Sequence, residues 1–212
     1  MKTSTSPAKP PAVRQRRPAF DREQGVLLAQ ALFHARGYDA VSIADLTQAL
    51  GIVPPSLYAA YGSKLELFER ALRSYTETDA LPLGAILAAD GTPAEVLTHL
   101  FVEAAKQYTR DPVRRGCMVT EAMRADDDKA AAVAAGLAAF GSDMIRAYVA
   151  EHAPAAEADR ITDYVLLTLR GISSYSCLGY AQEKLVDCAG IAGRALDAEF
   201  AAVPAKPPRK SR

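Results

Sequence analysis

A chain of 212 residues is long enough for one large domain or for two small ones sharing an interface. Half of its residues are apolar and 24% are charged, an ordinary balance for a globular fold in water, and no uncharged apolar run reaches the ~18 residues that a bilayer span needs. Net charge is zero but unevenly spread: residues 1–22 carry six basic side chains against Asp21 alone, whereas residues 71–202 hold 12 basic and 19 acidic ones. A basic end on an acidic body suits contact with a polyanion, or is simply a soluble tail. The start of the chain is polar, basic and proline-rich, without the apolar core of a signal peptide. Cys117, Cys177 and Cys188 are too widely spaced for a disulfide framework, so the expected compartment is the reducing cytoplasm. His34, His99 and His152 form no ligand cluster with a cysteine, and neither a metal nor another cofactor is expected.

From Phe20 onward the apolar period is helical. Leu28, Ala31, Leu32 and Ala35 recur at helical spacing, and Gly37 follows as a stop. Ser42 opens a short helix through an approximate capping box with Asp45, and that helix ends near Leu50 and Gly51. Ser63 opens another, with Leu65, Phe68, Leu72 and Tyr75 on one face. Thr92 and Pro93 read as an N-cap and a proline at the first helical position, ahead of Leu97, Leu100, Phe101, Ala104 and Tyr108. Val133, Leu137, Phe140, Met144 and Tyr148 make a stripe between about 127 and 151. The segment 157–180 is apolar on more than one face and needs cover on both sides, and a last helix at about 184–201 buries Leu185, Ala189, Ala192, Leu196 and Phe200. No alternating strand pattern of useful length appears. The expected fold is all-α, closed by a proline-rich basic tail at 203–212.

Two adjacent prolines stand inside this helical text, in ALGIVPPSLYAAYG at 49–62. Proline in a helix interior costs roughly 3 kcal/mol, so the pair marks a boundary. Gly51 supplies a left-handed stop, Pro54 is expected to be the cap, and Pro55 takes the first helical position, where a missing N–H costs nothing. Two short helices joined by a tight turn with glycine make a helix-turn-helix. Ile43, Leu46, Leu50, Ile52 and Leu57 are its expected core, and Pro54, Pro55, Ser56, Ala59 and Ala60 its outward face. By periodicity alone, a generic helical hairpin and a reader of the DNA major groove fit equally.

The stretch from Leu27 to Leu72 resembles the DNA-binding domain of the TetR/AcrR family of bacterial transcriptional regulators. The resemblance is carried by Leu28, Phe33, Gly37-Tyr38, Ser42-Ile43, Leu46, Ala49, Gly51-Ile52, Leu57-Tyr58, Tyr61 and Ser63-Lys64. The segment RRGCMVTEAMR is also similar to one recurring in some of these regulators. The resemblance implies a homodimer, usually a repressor, that holds a double-stranded operator and leaves it when a small-molecule effector enters the C-terminal domain. It divides the chain into a basic arm at 1–17, a three-helix DNA-binding domain at 18–76, a helical ligand-binding and dimerisation domain at 77–202, and the tail at 203–212. It also gives Ser42, Tyr58 and Lys64 phosphate contacts that set register without reading bases. Tyr61 falls on an aromatic core position.

Two departures thin the readout. Val53 stands where the family usually has Ser or Thr, leaving the second helix without a side-chain cap, and Ala59 and Ala60 replace residues that are often polar. Ser56 is then the main hydrogen-bonding group among Pro54, Pro55 and Ala59, which can touch thymine methyl groups only. Arg14, Arg16 and Arg17 are either an arm on DNA or a soluble tail. In the second domain Phe101, Tyr108, Cys117, Tyr148 and Tyr164 are candidate effector contacts, with Tyr175 a further tyrosine of the same kind; each also reads as core. Cys117 follows Arg114-Arg115-Gly116 at the start of a short helix, an environment that favours a thiolate, so a redox- or electrophile-responsive regulator is an alternative. No nucleophile–base pair or phosphate loop appears, so no catalytic residue and no enzyme activity is assigned. A helical carrier or enzyme using the motif as scaffold is the alternative from another class. Apolar surplus and small residues (Gly171, Ser174, Gly179, Gly190, Gly193) in the last two helices point to an isologous four-helix dimer interface.

Overall fold

The structure, a computed structural model, describes residues 21–202. The basic residues Arg14, Arg16 and Arg17 and the tail at 203–212 lie outside the described residues. The described part is all-α, with no strand among those residues. It comprises α1 (Arg22–Arg36), α2 (Ile43–Leu50), α3 (Pro54–Tyr61), α4 (Lys64–Thr78), α5 (Leu83–Leu87), α6 (Pro93–Thr109), α7 (Met118–Ala122), α8 (Asp128–His152), α9 (Ala155–Cys177) and α10 (Gln182–Ala202).

Local chemistry sets most helix ends as expected. Ser42 and Asp45 form the full capping box of α2, and Thr92 and Glu95 repeat it at α6. Ser63 accepts the Glu66 N–H at 3.1 Å to start α4. Gly51 ends α2 with φ 65° and ψ 30°, a left-handed conformation that costs glycine little.

Two cores form. In the first, α1 lies along α4, and Phe33, Tyr38 and Phe68 pack together, with ring centroids of Phe33 and Phe68 5.0 Å apart and of Tyr38 and Phe68 4.8 Å apart. Met118 and Val119 of α7 and Ala130 and Ala134 of α8 complete this core, so the chain boundary near 76 does not separate the packing. The second core has α6 at its centre, with Leu97, Leu100 and Phe101 fully buried against Ile161 and Val165 of α9 and Leu185 and Leu196 of α10. Asp79 stands at the joint: its carboxylate accepts Gln30 of α1 and Arg110 beyond α6, each at 2.8 Å, and its carbonyl accepts Gln107.

Three expected faces differ. On α1 the buried positions are Gly25, Ala29, Gln30 and Phe33, while Leu28 is exposed, because α4 meets the helix along the Gly25, Ala29, Phe33 row, one position round from the apolar stripe. On α8 the seam is Ala130 and Ala134 on the first core and Ile145 and Val149 on the second; Phe140, between the two contacts, is 73% exposed, while Val133, Leu137 and Tyr148 of the expected stripe pack half-buried beside the seam. By length and composition α8 is also long and apolar enough to cross a membrane. Gly193, expected among the small residues of a subunit interface, is buried against α6; a Cβ there would stand 2.4 Å from Thr98 Oγ1.

Within one subunit α9 and α10 leave apolar side chains in the open. Leu167, Leu178 and Ile191 are 69%, 72% and 59% exposed. Gly171 and Gly190 meet nothing within 4 Å of an added Cβ.

Candidate nucleic-acid interface

The helix-turn-helix is fixed from below and bare above. Leu46 and Leu50 of α2 and Leu57 and Tyr61 of α3 are buried, Ile43 and Ile52 half-buried beside them. The Tyr61 hydroxyl donates to the Arg22 carbonyl at 2.9 Å, tying the end of α3 to the start of α1. The N-cap of α3 is Val53 rather than Pro54, so the prolines occupy the first two helical positions. Both positions lie in the first turn, where no intrahelical partner exists for an N–H, so neither proline forfeits a bond. The Val53 carbonyl accepts the N–H of Ser56 at 2.9 Å and of Leu57 at 3.2 Å, while its apolar side chain is exposed and caps nothing.

The outward surface of α3 consists of Pro54, Pro55, Ser56, Tyr58 and Ala59, all exposed. Ala60, expected among them, is half-buried against the core, because it shares a face with Leu57. Tyr58 is 49% exposed, and its hydroxyl has no hydrogen-bond partner among the described residues.

Ser42 and Lys64 are less free. The Ser42 N–H donates to Asp45 Oδ2 at 2.8 Å and its hydroxyl is engaged with the same carboxylate, while Arg36 Nη1 donates to Asp45 Oδ1 at 2.8 Å. Arg36 first, and then Ser42, hold the Asp45 carboxyl far below the usual carboxylate range. A phosphate at Ser42 therefore competes with Asp45 for the hydroxyl proton. Lys64 Nζ sits 4.0 Å from the Tyr38 ring centroid, and burial lowers its pKa against the opposing pull of Asp39, Asp127 and Asp45. The pairing of Arg36 with Asp45 and the seating of Lys64 on Tyr38 have no signal in the sequence beyond the Gly37-Tyr38 pair.

Of the effector candidates, Phe101 and Tyr108 are buried in the second core, and Cys117, Tyr148 and Tyr164 pack half-buried against it. The Tyr148 ring lies 4.5 Å from that of His152, and Tyr164 donates to the Ala192 carbonyl at 3.3 Å. Tyr175 is half-exposed against Tyr180. Cys117 is half-buried beside Tyr75 and Tyr108, and burial first, then the thiol, raises the pKa of both phenols. The guanidinium groups that precede it turn elsewhere: Arg114 pairs with Asp111 at 2.7 Å, and Arg115 donates to the carbonyls of Ser176 and Tyr180. A cleft of about 260 Å3 opens on the first core, with Phe33, His34, Tyr38, Phe68, Arg115 and Met118 among its walls. None of the aromatic effector candidates lines it.

Comparison with known proteins agrees with this geometry. The pattern described as "Bacterial regulatory proteins, tetR family" matches residues 28–71. The HTH-type transcriptional repressor BdcR of Escherichia coli (strain K12) is 39% identical over 177 residues, covering 84% of this chain and 89% of that protein. A second repressor of that organism, ComR, is 34% identical over 107 residues, covering 50% of this chain and 51% of its own. Among solved structures, a cysteine mutant of the TetR family transcriptional regulator CifR, complexed with 26-bp double-strand operator DNA, superposes with a TM-score of 0.73 at 30% identity, covering 85% of this chain and 99% of that one. With a helix-turn-helix exposed as such proteins require and a near full-length relative among them, the chain belongs to the TetR family of DNA-binding bacterial transcriptional regulators.

Proposed function

We propose that this chain is a cytoplasmic, one-component repressor that binds a palindromic operator as a homodimer and leaves it when a small molecule binds; it is a regulator and not an enzyme. The observation that carries the reading is the exposed face of α3, where Pro54, Pro55, Ser56 and Ala59 project beside Tyr58, whose hydroxyl has no hydrogen-bond partner among the described residues. Repressors are its relatives, and CifR is a regulator complexed with operator DNA. In this reading Tyr58, Lys64 and Ser42 hold phosphates, and Pro54, Pro55, Ser56 and Ala59 meet base edges. Arg16 and Arg17 of the basic arm add sequence-independent attraction.

The dimer forms through α9 and α10, where Leu167, Leu178 and Ile191 are left exposed. It sets two α3 helices in successive major grooves, roughly 34 Å apart. Gel-shift and footprinting on the DNA upstream of the protein's own gene test the reading. A protected palindrome is the expected result; no binding at low salt to that region or to any selected sequence overturns it.

A further inference from the structure

The cleft lies on the first core: Phe33, His34 and Phe68 come from α1 and α4 and Met118 and Ala122 from α7, with Arg115 ahead of α7 and Cys177 at the end of α9 completing the wall. Most of that wall is apolar, and one charge in it is unmatched. Arg115 is half-buried and donates from Nη1 alone, to the Ser176 carbonyl at 3.2 Å and the Tyr180 carbonyl at 3.0 Å. Its Nε and Nη2 make no hydrogen bond and it forms no ion pair among the described residues, whereas Arg114 is paired with Asp111 and Arg124 with Glu121. Those two N–H groups form one edge of the guanidinium, spaced to match the two oxygens of a carboxylate. A half-buried cation whose partners are all neutral gains most from an anion.

The other charged groups at the cleft are committed. Glu121 accepts the Ser173 hydroxyl at 2.7 Å and binds Arg124, and Asp39 accepts the backbone N–H of Asp126 at 2.8 Å. Burial lowers the pKa of His34, whose Nε2 lies 3.1 Å from the Gly116 carbonyl, so the imidazole adds no second cation at neutral pH. The carboxylates of Glu121 and Asp39 repel a dianion such as phosphate more strongly than a monoanion. A volume of about 260 Å3 is small beside the ~300–1,000 Å3 of typical ligand pockets, so the occupant is small.

We infer that this cleft is the effector site and takes a small monocarboxylic acid, with its carboxylate on Arg115 and its apolar body against Phe33, Phe68 and Met118. The inference rests on the ligand-responsive reading proposed above. Tyr38 and Asp39 of its wall stand four and three residues ahead of Ser42, so an occupant bears on the connection into α2 without passing through the second core.

The test is calorimetry on the full chain with benzoate and crotonate as probes and benzamide as the neutral control, followed by gel-shift with the same compounds. At least one acid is expected to bind at millimolar concentration or tighter, about tenfold better than benzamide, and to release operator. Arg115→Gln should lose about tenfold or more of that affinity. Because this change also cuts the bonds to Ser176 and Tyr180, Ala122→Phe, which fills the cleft and leaves Arg115 in place, carries the test wherever the first variant fails to fold. Binding by neither acid, equal binding of benzamide, unchanged affinity in a folded variant, or binding without release overturns the inference. Calorimetry needs no DNA, and a gel-shift without any acid decides the operator reading separately.

Discussion

The carboxylate of Asp39 accepts the backbone N–H of Asp126 at 2.8 Å and that of Asp127 at 3.4 Å, binding the connection ahead of the helix-turn-helix to the start of α8. Asp127 is itself the N-cap of α8, so the two segments meet at one capping structure. Since α8 also packs into the second core through Ile145 and Val149, it joins the reading unit mechanically to the rest of the molecule. Asp39→Ala should cost about 1 kcal/mol of stability, the worth of an exposed hydrogen-bonded carboxylate, and should change operator affinity although Asp39 is not on the α3 face. Urea unfolding and gel-shift on the same preparation measure both. Unchanged values in each would leave the contact without consequence.

Tyr58 and the apolar residues around it should separate in their effects. Tyr58→Phe is expected to weaken all operators alike, by roughly 1 kcal/mol, because a phosphate contact carries no sequence information. Replacing half-site thymines with uracil removes methyl groups that Pro54, Pro55 and Ala59 can touch, so it should weaken binding only at particular positions. A change of preferred sequence in Tyr58→Phe, with uracil tolerated throughout, would reverse the two roles.

Asp45 gives a pH dependence whose sign is fixed by its partners. Arg36 and Ser42 hold its folded-state pKa below the unfolded value of about 3.9, so its contribution to stability is fully present above that value and is lost as pH falls below it. The stability gap between the wild type and Asp45→Asn should therefore narrow as pH falls from about 6 to about 3. Thermal melts across that range check it, and a gap that widens toward acid contradicts the assignment.

Close packing of α10 on α6 predicts opposite results for two glycines. Gly193→Ala brings a Cβ within 3.0 Å of three atoms of Thr98, a β-branched residue whose hydroxyl is bonded to the Ala94 carbonyl, and should cost about 1–3 kcal/mol. Gly136→Ala, in the middle of α8 with nothing within 4 Å, should stabilise by about 0.5–1 kcal/mol through helix propensity alone. Chemical denaturation of both variants decides it.

For the proposed subunit interface, Leu167→Glu combined with Ile191→Glu should halve the mass in solution at micromolar concentration while leaving helical content unchanged. Both side chains are exposed within one subunit, so the fold does not need them. A wild type that is already monomeric by light scattering would remove the interface altogether.

What the sequence determined by itself was punctuation and helix type. Ser42 with Asp45, Gly51, Ser63, and Thr92 with Pro93 act within four residues of themselves, so their chemistry is complete in the local text and the helices start and stop where those residues say. The helix-turn-helix was legible for the same reason, with a one-residue shift at Val53 and Pro54, since two prolines fit a first helical turn as well as one does. Which face of a long helix is buried was decided only in the tertiary structure. Leu28 and Phe140 belong to apolar stripes yet stand exposed, because the neighbouring helix selects the row it packs on, and Phe140 falls between the two contacts of α8. The cleft at Arg115 was hidden likewise. Its walls come from residues 33 to 177, and whether a guanidinium finds a carboxylate depends on which helices the fold brings past it.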